Sequence, residues 1–148
     1  MKYFGSVDEI LDFAISEEEA AAEFYRNVAE NMDKPWMRQV FEEFAMEEMV
    51  HKQKLLLVKE KKLLLPAEDK IMDLRISDYL VDTKPGEEQE YQQALILAMN
   101  KEKSAFRLYN DLAAFTEDST LQSLLLSLAQ EEAKHKLRVE VEYDKHFS

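Results

Sequence analysis

Two Glu-x-x-His pairs lie 84 residues apart in this 148-residue chain, and they constrain its fold more than any other feature. A lone glutamate precedes each pair by 30 residues, so one pattern of ligand-type side chains occurs twice in register. The six residues are Glu18, Glu48, His51, Glu102, Glu132 and His135. One glutamate from each of two helices and a Glu-x-x-His pair from each of two others form the ligand set of a dinuclear metal site in a helical bundle. The spacing therefore predicts four helices around two metal ions.

The composition favours a few long helices in one domain. Only 2 Gly and 3 Pro leave few turns, and a hydrophobic fraction of 46% is enough for a core. The length is typical of a single domain, so we expect one domain over residues 1–148. A net charge of −12 leaves no basic face to bind nucleic acid, and it disfavours anionic membranes.

The absence of cysteine excludes whole classes of site. Disulfides, iron–sulfur clusters and cysteine-ligated zinc all require thiols, and the chain has none. The first residues lack the apolar segment of a signal peptide, and no apolar run approaches 18 residues. We therefore expect a cytoplasmic protein without nucleic-acid or membrane partners.

Capping and turn residues divide the chain into four predicted helices. Ser6 and Glu9 form a capping box, Pro35 stands in the first turn of the second helix, and Pro66 follows its end. The predicted helices run roughly over residues 6–32, 35–65, 87–115 and 118–145. Short joints after the first and third helices make the helices on either side of each joint antiparallel neighbours.

Residues 66–86 show no helical pattern. Met72, Leu74 and Ile76 alternate with polar residues, and Tyr79 follows. At ~3.3 Å per extended residue the segment can span the ~45 Å length of a 30-residue helix. We predict a crossover, anchored by apolar side chains, that returns the chain to the other end of the bundle. An all-α antiparallel four-helix bundle with one such crossover, between helices two and three, has ferritin-like topology.

The six ligand-type residues are in phase with the apolar stripes of their helices, which places them in the core. Four glutamates converging there would repel one another and take up protons unless cations lay between them. The i, i+3 spacing puts both side chains of a pair on one face, so each pair can serve one ion. Carboxylate and imidazole ligands without thiolate suit iron or manganese. Solvent-facing positions are expected for other glutamates, namely Glu17, Glu19, Glu47 and Glu131. Trp36 is expected to pack at the end of the bundle, and His146 to lie at the surface without a partner.

Two tyrosines repeat at the same offset as the ligands. Tyr25 and Tyr109 each follow a lone glutamate by seven residues. Core aromatic residues usually only pack, but a buried phenol needs an acceptor, and a ligand carboxylate one or two turns away is a natural one. Repeated alanines leave room for large side chains or a small oxidant. We therefore predict two pseudo-repeats, 6–65 and 87–146, joined by the crossover 66–86.

The combined motifs resemble the rubrerythrin-like branch of the ferritin-like di-iron carboxylate proteins. The resemblance covers essentially the whole chain. The motifs are Glu18-x-x-Ala21-x-x-x-Tyr25, Glu48-x-x-His51, Glu102-x-x-Ala105-x-x-x-Tyr109 and Glu132-x-x-His135. The resemblance implies a four-helix bundle that holds two iron ions, with manganese as the alternative, and that pairs into a homodimer.

The chain departs from the family pattern in two places. Rubrerythrins proper carry a rubredoxin module with four cysteines, and this chain has no cysteine, so a separate electron-donor protein is expected. They also carry an extra glutamate one turn after the third-helix ligand, where this chain has Ala105.

The favoured function is that of a peroxidase-like di-iron oxidoreductase that reduces hydrogen peroxide or dioxygen. The helices are regular and contain no insertion large enough to form a binding site for an organic substrate, which favours a small oxidant. Tyr25 and Tyr109 would act as hydrogen-bond donors beside the ligands. Two alternatives stay open: an iron-binding ferroxidase or sequestration protein, and a bundle in which the ions are only structural.

Overall fold

Four long helices make up most of the computed structural model. The structure describes residues 7–61, 76–81, 91–115 and 119–147. The helices are α1 (Val7–Glu30), α2 (Pro35–Glu60), α3 (Tyr91–Phe115) and α4 (Ser119–Phe147), and a short 3-10 helix spans Ile76–Tyr79. The described residues contain no strand, so the prediction of an all-α fold is confirmed. No helix among them is long and apolar enough to cross a membrane.

The helix ends differ from the predicted ones by a few residues. Pro35 opens α2 as expected, because its fixed φ and missing N–H suit a first turn. The same helix ends at Glu60 rather than Leu65, because the backbone of Lys61 leaves the helical conformation at φ −88° and ψ 0°, although its N–H still bonds to Leu57 O at 3.0 Å. The predicted cap at Ser6 and the stop at Pro66 lie outside the described residues.

Neighbouring helices run antiparallel on all four sides of the bundle. Contacts along each pair join rising residue numbers on one helix to falling numbers on the other. They are Asp12–Lys59 and Glu19–Lys52 for α1 and α2, Glu18–Tyr109 and Tyr25–Glu102 for α1 and α3, Glu43–Arg138 and His51–Glu132 for α2 and α4, and Tyr91–Glu142 and Ala113–Gln122 for α3 and α4. Because α2 and α3 both oppose α1, they are parallel to each other. The chain between them must return along the bundle, which confirms the predicted crossover topology.

The crossover is fixed to α3 by Tyr79. Its buried ring lies 6.5 Å from the ring of Phe13, its hydroxyl donates to Asp111 at 2.6 Å, and its carbonyl accepts from Ser104 at 2.5 Å. Leu80, next to it, is exposed. The parts of the predicted crossover before residue 76 and after residue 81, including Met72 and Leu74, lie outside the described residues. The anchor places the 3-10 helix beside the middle of the bundle.

Apolar side chains form two clusters, one towards each end of the bundle. The first contains Leu11, Leu55, Leu112 and Leu125 among others, and the second contains Tyr25, Phe41, Phe44, Leu95 and Val139 among others. Burial of this apolar surface is the main stabilising contribution to the fold. The six ligand-type residues lie between the clusters.

Aromatic rings close the end of the bundle where α2 begins. Trp36 packs there as predicted, with its ring edge-on to Tyr91 at 6.0 Å, and it stacks on His146 at 5.1 Å. His146 also lies 3.5 Å from Glu142, so the prediction that it has no partner is wrong. The cause is the length of α4, which continues to Phe147 and holds His146 against the neighbouring helices.

Candidate metal centre

All six predicted ligand residues meet in the gap between the apolar clusters. Each exposes 4% or less of its surface: Glu18, Glu48, His51, Glu102, Glu132 and His135. Helices α1 and α3 supply one glutamate each, and α2 and α4 supply one Glu-x-x-His pair each. Burial of so many ionisable groups in one place is costly unless an opposite charge accompanies them.

The Nδ1 atom of His51 faces three carboxylates. It lies 2.5 Å from Glu132 Oε1, 3.6 Å from Glu18 Oε2 and 3.7 Å from Glu48 Oε2. Despite the 2.5 Å separation, neither Nδ1 nor Glu132 Oε1 has a partner aligned for a hydrogen bond, and Glu18 Oε2 has none either. These atoms therefore converge on a common point instead of pairing with one another.

The Nδ1 atom of His135 occupies the matching place on the other side. It lies 3.2 Å from Glu48 Oε1, 3.6 Å from Glu102 Oε2 and 4.0 Å from Glu132 Oε2. Glu102 Oε2 is buried without a hydrogen-bond partner, like its counterpart Glu18 Oε2. The two imidazole rings are nearly parallel, with centroids 6.0 Å apart and an interplanar angle of 12°.

Glu48 and Glu132 each offer one oxygen to each histidine, so they lie between two potential ion positions. Two groups of four residues share these carboxylates, and the ligand atoms of each group lie within 4.8 Å of one another. One group is Glu18, Glu48, His51 and Glu132, and the other is Glu48, Glu102, Glu132 and His135. This differs from the prediction that each Glu-x-x-His pair serves one ion, because both pair glutamates project between the two positions.

Tyr25 and Tyr109 bind the two unshared glutamates. The hydroxyl of Tyr25 donates to Glu102 Oε1, and that of Tyr109 donates to Glu18 Oε1. Each tyrosine thus reaches across the bundle rather than to the glutamate on its own helix. Burial raises the pKa of both phenols well above the usual value, and the nearby carboxylates raise it further, so both remain hydrogen-bond donors.

Burial and mutual repulsion dominate the electrostatics of the carboxylates. Burial raises the pKa of Glu18 and of Glu132 well above the usual value, and neighbouring carboxylates raise both further. Burial alone would also raise the pKa of Glu48, but its interactions with Glu18, His135 and His51 outweigh it and lower that pKa. Without a bound ion the cluster therefore holds protons between its carboxylates.

The histidines respond in the opposite sense. Burial would lower the pKa of each ring, but the carboxylates close to each ring outweigh it and raise the pKa of His51 to about 9 and that of His135 to about 10. The raised values show that this pocket attracts positive charge. Converging carboxylate and imidazole atoms without hydrogen-bond partners, in a site that attracts cations, fit a pair of divalent metal ions.

Glu47 approaches the centre from outside the predicted ligand set. Its Oε2 lies against Nε2 of His135, on the far side of the ring from the cluster. The side chain is 46% exposed, in line with the predicted solvent-facing position, although Oε2 itself is buried. Glu131 occupies the equivalent position in the second repeat and instead lies 3.5 Å from Lys134. Helical periodicity did not single out Glu47. The residue directly before a core residue falls near the surface of its helix, where a glutamate is ordinary.

A cavity of about 30 Å³ adjoins the carboxylates. The four cluster glutamates line it and the two histidines do not. Its other walls come from α1, α3 and the crossover: Phe13, Ala14, Glu17, Ala21, Tyr79, Val81, Lys101, Ser104, Ala105, Leu108 and Tyr109. A water molecule needs about 10–15 Å³ by this measure, so the cavity has room for roughly two.

Glu17, which was also expected to be solvated, is partly buried in the wall of this cavity. Burial raises its pKa, although Lys101 opposes the shift.

A four-helix bundle with a long crossover and a buried carboxylate–histidine cluster is a protein of the ferritin-like class. The chain belongs to the rubrerythrin family, whose model matches residues 9–143. The resemblance found in the sequence is thereby confirmed.

Two solved structures share the fold. A Thermotoga maritima protein, named as a ferritin-like diiron-carboxylate protein, is 19% identical, covers 100% of both chains and has a TM-score of 0.76. A Pyrococcus furiosus protein described as hypothetical is 21% identical, covers 94% of this chain and 89% of its own, and has a TM-score of 0.71. No curated protein matches the sequence.

Metal-free protein is expected to lose stability as the pH rises. The pKa values of His51 and His135 rise on folding from 6.5 to about 9 and about 10, so their protonated rings contribute fully below pH 6.5. That contribution is lost as the pH rises through about 9 to 10. Chemical denaturation of chelator-treated protein at pH 6 and pH 9 should show a loss of at least about 1 kcal/mol. Metal-loaded protein is the control, because bound ions replace the protons. An unchanged free energy of unfolding in the metal-free sample would contradict this expectation.

Glu47→Gln should weaken the binding of one metal ion of the two. A carboxylate on the outer nitrogen of a histidine ligand orients the ring and makes it more basic, and its loss typically lowers metal affinity by about 10–100-fold. Titration with Co²⁺, followed by its visible absorption, measures both binding steps. Glu131→Gln is the matched control and should leave both steps unchanged. Equal effects of the two substitutions would mean that the contact with His135 does not matter.

Proposed function

We propose that this protein is a di-iron oxidoreductase that reduces hydrogen peroxide or dioxygen. One observation carries the proposal: two four-residue ligand groups share a pair of carboxylates and adjoin a cavity of about 30 Å³. Membership in the rubrerythrin family and the fold shared with a protein named as a diiron-carboxylate protein support iron as the metal. Manganese accepts the same ligand types and is the alternative occupant.

The ligand groups divide the six residues between two ions. Glu18 and His51 would hold one ion, Glu102 and His135 would hold the other, and Glu48 and Glu132 would bridge them. Four carboxylates balance the four positive charges of two divalent ions, which removes the repulsion that otherwise keeps protons in the cluster. Iron held by these residues in the ferrous state would supply electrons to the oxidant.

The cavity favours a small oxidant over an organic substrate. Its volume of about 30 Å³ matches roughly two water molecules, which is the scale of peroxide or dioxygen. It reaches the cluster from the carboxylate side, while the histidines lie behind the glutamates and are absent from its lining. An oxidant in the cavity would therefore approach both ion positions without displacing a histidine.

The surrounding side chains orient the glutamates and supply polar groups. Tyr25 and Tyr109 hold one oxygen of each unshared glutamate, which leaves the other oxygen directed at the cluster. Glu17 and Lys101 are the charged residues that the cavity lining contains beyond the cluster itself, and either can exchange a proton with a molecule bound there. Each peroxide consumes two electrons and two protons. Because the chain has no cysteine, we propose that a separate donor protein supplies the electrons. The homodimer stays a prediction.

Anaerobic reaction with peroxide tests the proposal. Protein loaded with two ferrous ions per chain and mixed with one equivalent of hydrogen peroxide should oxidise both ions faster than the same iron oxidises in buffer. Stopped-flow absorbance of ferric iron is the measurement. His51→Ala is the control, because it removes one of the four residues of the first group. A rate no faster than that of free iron would end this proposal, and accumulation of more than two ferric ions per chain would favour sequestration.

Ala105→Leu should slow the reaction with peroxide while both ions remain bound. Ala105 lines the cavity, and a leucine side chain there would occupy a volume that holds only about two water molecules. Ala114→Leu makes the same change at an exposed position of the same helix and should react normally. Metal content and peroxide rate would be measured for both variants. An undiminished rate in Ala105→Leu would show that the oxidant does not enter through this cavity.

A further inference from the structure

A series of aromatic rings connects the metal centre to the surface. The buried ring of Tyr25 stacks on Phe41 at 6.0 Å, with an interplanar angle of 23°. Phe41 meets Tyr91 edge-on at 5.9 Å, and Tyr91 meets Trp36 edge-on at 6.0 Å. Trp36 is 40% exposed at the start of α2. Three ring contacts of similar length thus lead from the hydroxyl that binds Glu102 to solvent.

The second tyrosine of the centre lacks such a connection. Tyr109 donates to Glu18 just as Tyr25 donates to Glu102, and it is equally buried. Within the part of the chain that the structure describes, its ring contacts no other aromatic ring, whereas Tyr25 contacts Phe24, Phe41 and Phe44. The repeat of the sequence therefore does not account for the ring series.

The residues of the series suit one-electron transfer. Tryptophan and tyrosine are the aromatic side chains that lose a single electron most readily, and phenylalanine can bridge two of them. Tyr25 and Tyr91 each donate a hydrogen bond to a carboxylate, Glu102 and Glu142 respectively, which can hold the phenolic proton when the ring loses an electron. Trp36 stacks on His146 at 5.1 Å, which fixes the exposed indole against the end of α4.

We propose that Trp36, Tyr91 and Tyr25, bridged by Phe41, conduct single electrons from the surface to the metal centre. The inference rests on the proposed function, because it requires an oxidant to be reduced at the centre. A one-electron reductant that contacts the exposed indole is the partner, and it is oxidised by one electron for each electron delivered. Two deliveries, with two protons from solvent, convert one peroxide to two waters.

The ring series itself undergoes no net change. When Tyr25 passes an electron inward, its proton stays in the hydrogen bond with Glu102, and it returns when the next electron arrives through Phe41 from Tyr91. Trp36 then takes an electron from the external reductant. Electrons therefore enter the protein at the end of the bundle where α2 begins, away from the cavity that admits the oxidant.

Oxidative footprinting tests the inner part of the series. Iron-loaded protein is treated with excess peroxide and no reductant, and oxidised residues are located by peptide mass spectrometry. The yield of oxidised Trp36, divided by the amount of iron oxidised, should be severalfold lower in Tyr25→Phe than in Tyr109→Phe, which removes the equivalent hydroxyl from the other unshared glutamate. Met46, which is 71% exposed and lies outside the series, reports diffusing oxidants and should be oxidised equally in all samples. Undiminished Trp36 oxidation in Tyr25→Phe, or changes that parallel Met46, would overturn the proposal.

A second measurement needs no metal chemistry. Trp36 is the single tryptophan of the chain, so pulse-generated azide radicals can oxidise it selectively. The tryptophanyl absorbance should then decay into tyrosyl absorbance at a rate independent of protein concentration. Tyr91→Phe should slow this step. Tyr143→Phe is the matched control at the same end of the bundle, because Tyr143 contacts Phe147 instead of Trp36. Equal rates of radical transfer in Tyr91→Phe and Tyr143→Phe would overturn the proposed series, even if peroxide oxidises the iron. Iron that does not react with peroxide would instead reject the proposed function alone.

Discussion

Mutual repulsion among four buried carboxylates is the constraint on which the rest of the structure depends. The glutamates occupy a layer between two apolar clusters, where bulk solvent cannot screen their charges. Protons on the carboxylates and positively charged histidine rings reduce this repulsion only in part. Bound metal cations would remove it. The tyrosine contacts, the antiparallel register of the helices and the parallel placement of α2 and α3 all serve to bring these side chains to one level.

The two four-residue groups contain the same types of side chain but have different surroundings. Glu47 contacts the outer nitrogen of His135, while Glu131 faces Lys134 instead. Tyr25 begins a series of rings that leads to Trp36, and Tyr109 does not. The two ion positions are therefore inequivalent despite the repeat, and a pair of ions bound there should differ in affinity and potential.

The sequence predicted those features that follow from periodicity and length. Six polar residues in phase with apolar stripes belong to the core, so their clustering could be inferred. A segment as long as 66–86 allows the second and third helices to be parallel, so the topology could be inferred as well. Features that depend on the distance between helices could not. Glu47 reaches a histidine on another helix, and Tyr25 binds the glutamate opposite instead of Glu18. The positions of Glu48 and Glu132, which belong to both four-residue groups, likewise depend on how closely α2 and α4 pack.

Each tyrosine–glutamate contact joins one half of the chain to the other, so substitutions in the two halves are coupled during evolution. A substitution at Glu18 leaves the buried hydroxyl of Tyr109 without its acceptor, and a substitution at Glu102 does the same to Tyr25. Neither half can therefore lose its lone glutamate without a compensating change in the other. Among relatives of this protein, positions 18 and 109 should covary, as should positions 25 and 102, although each pair joins residues that are far apart in the chain.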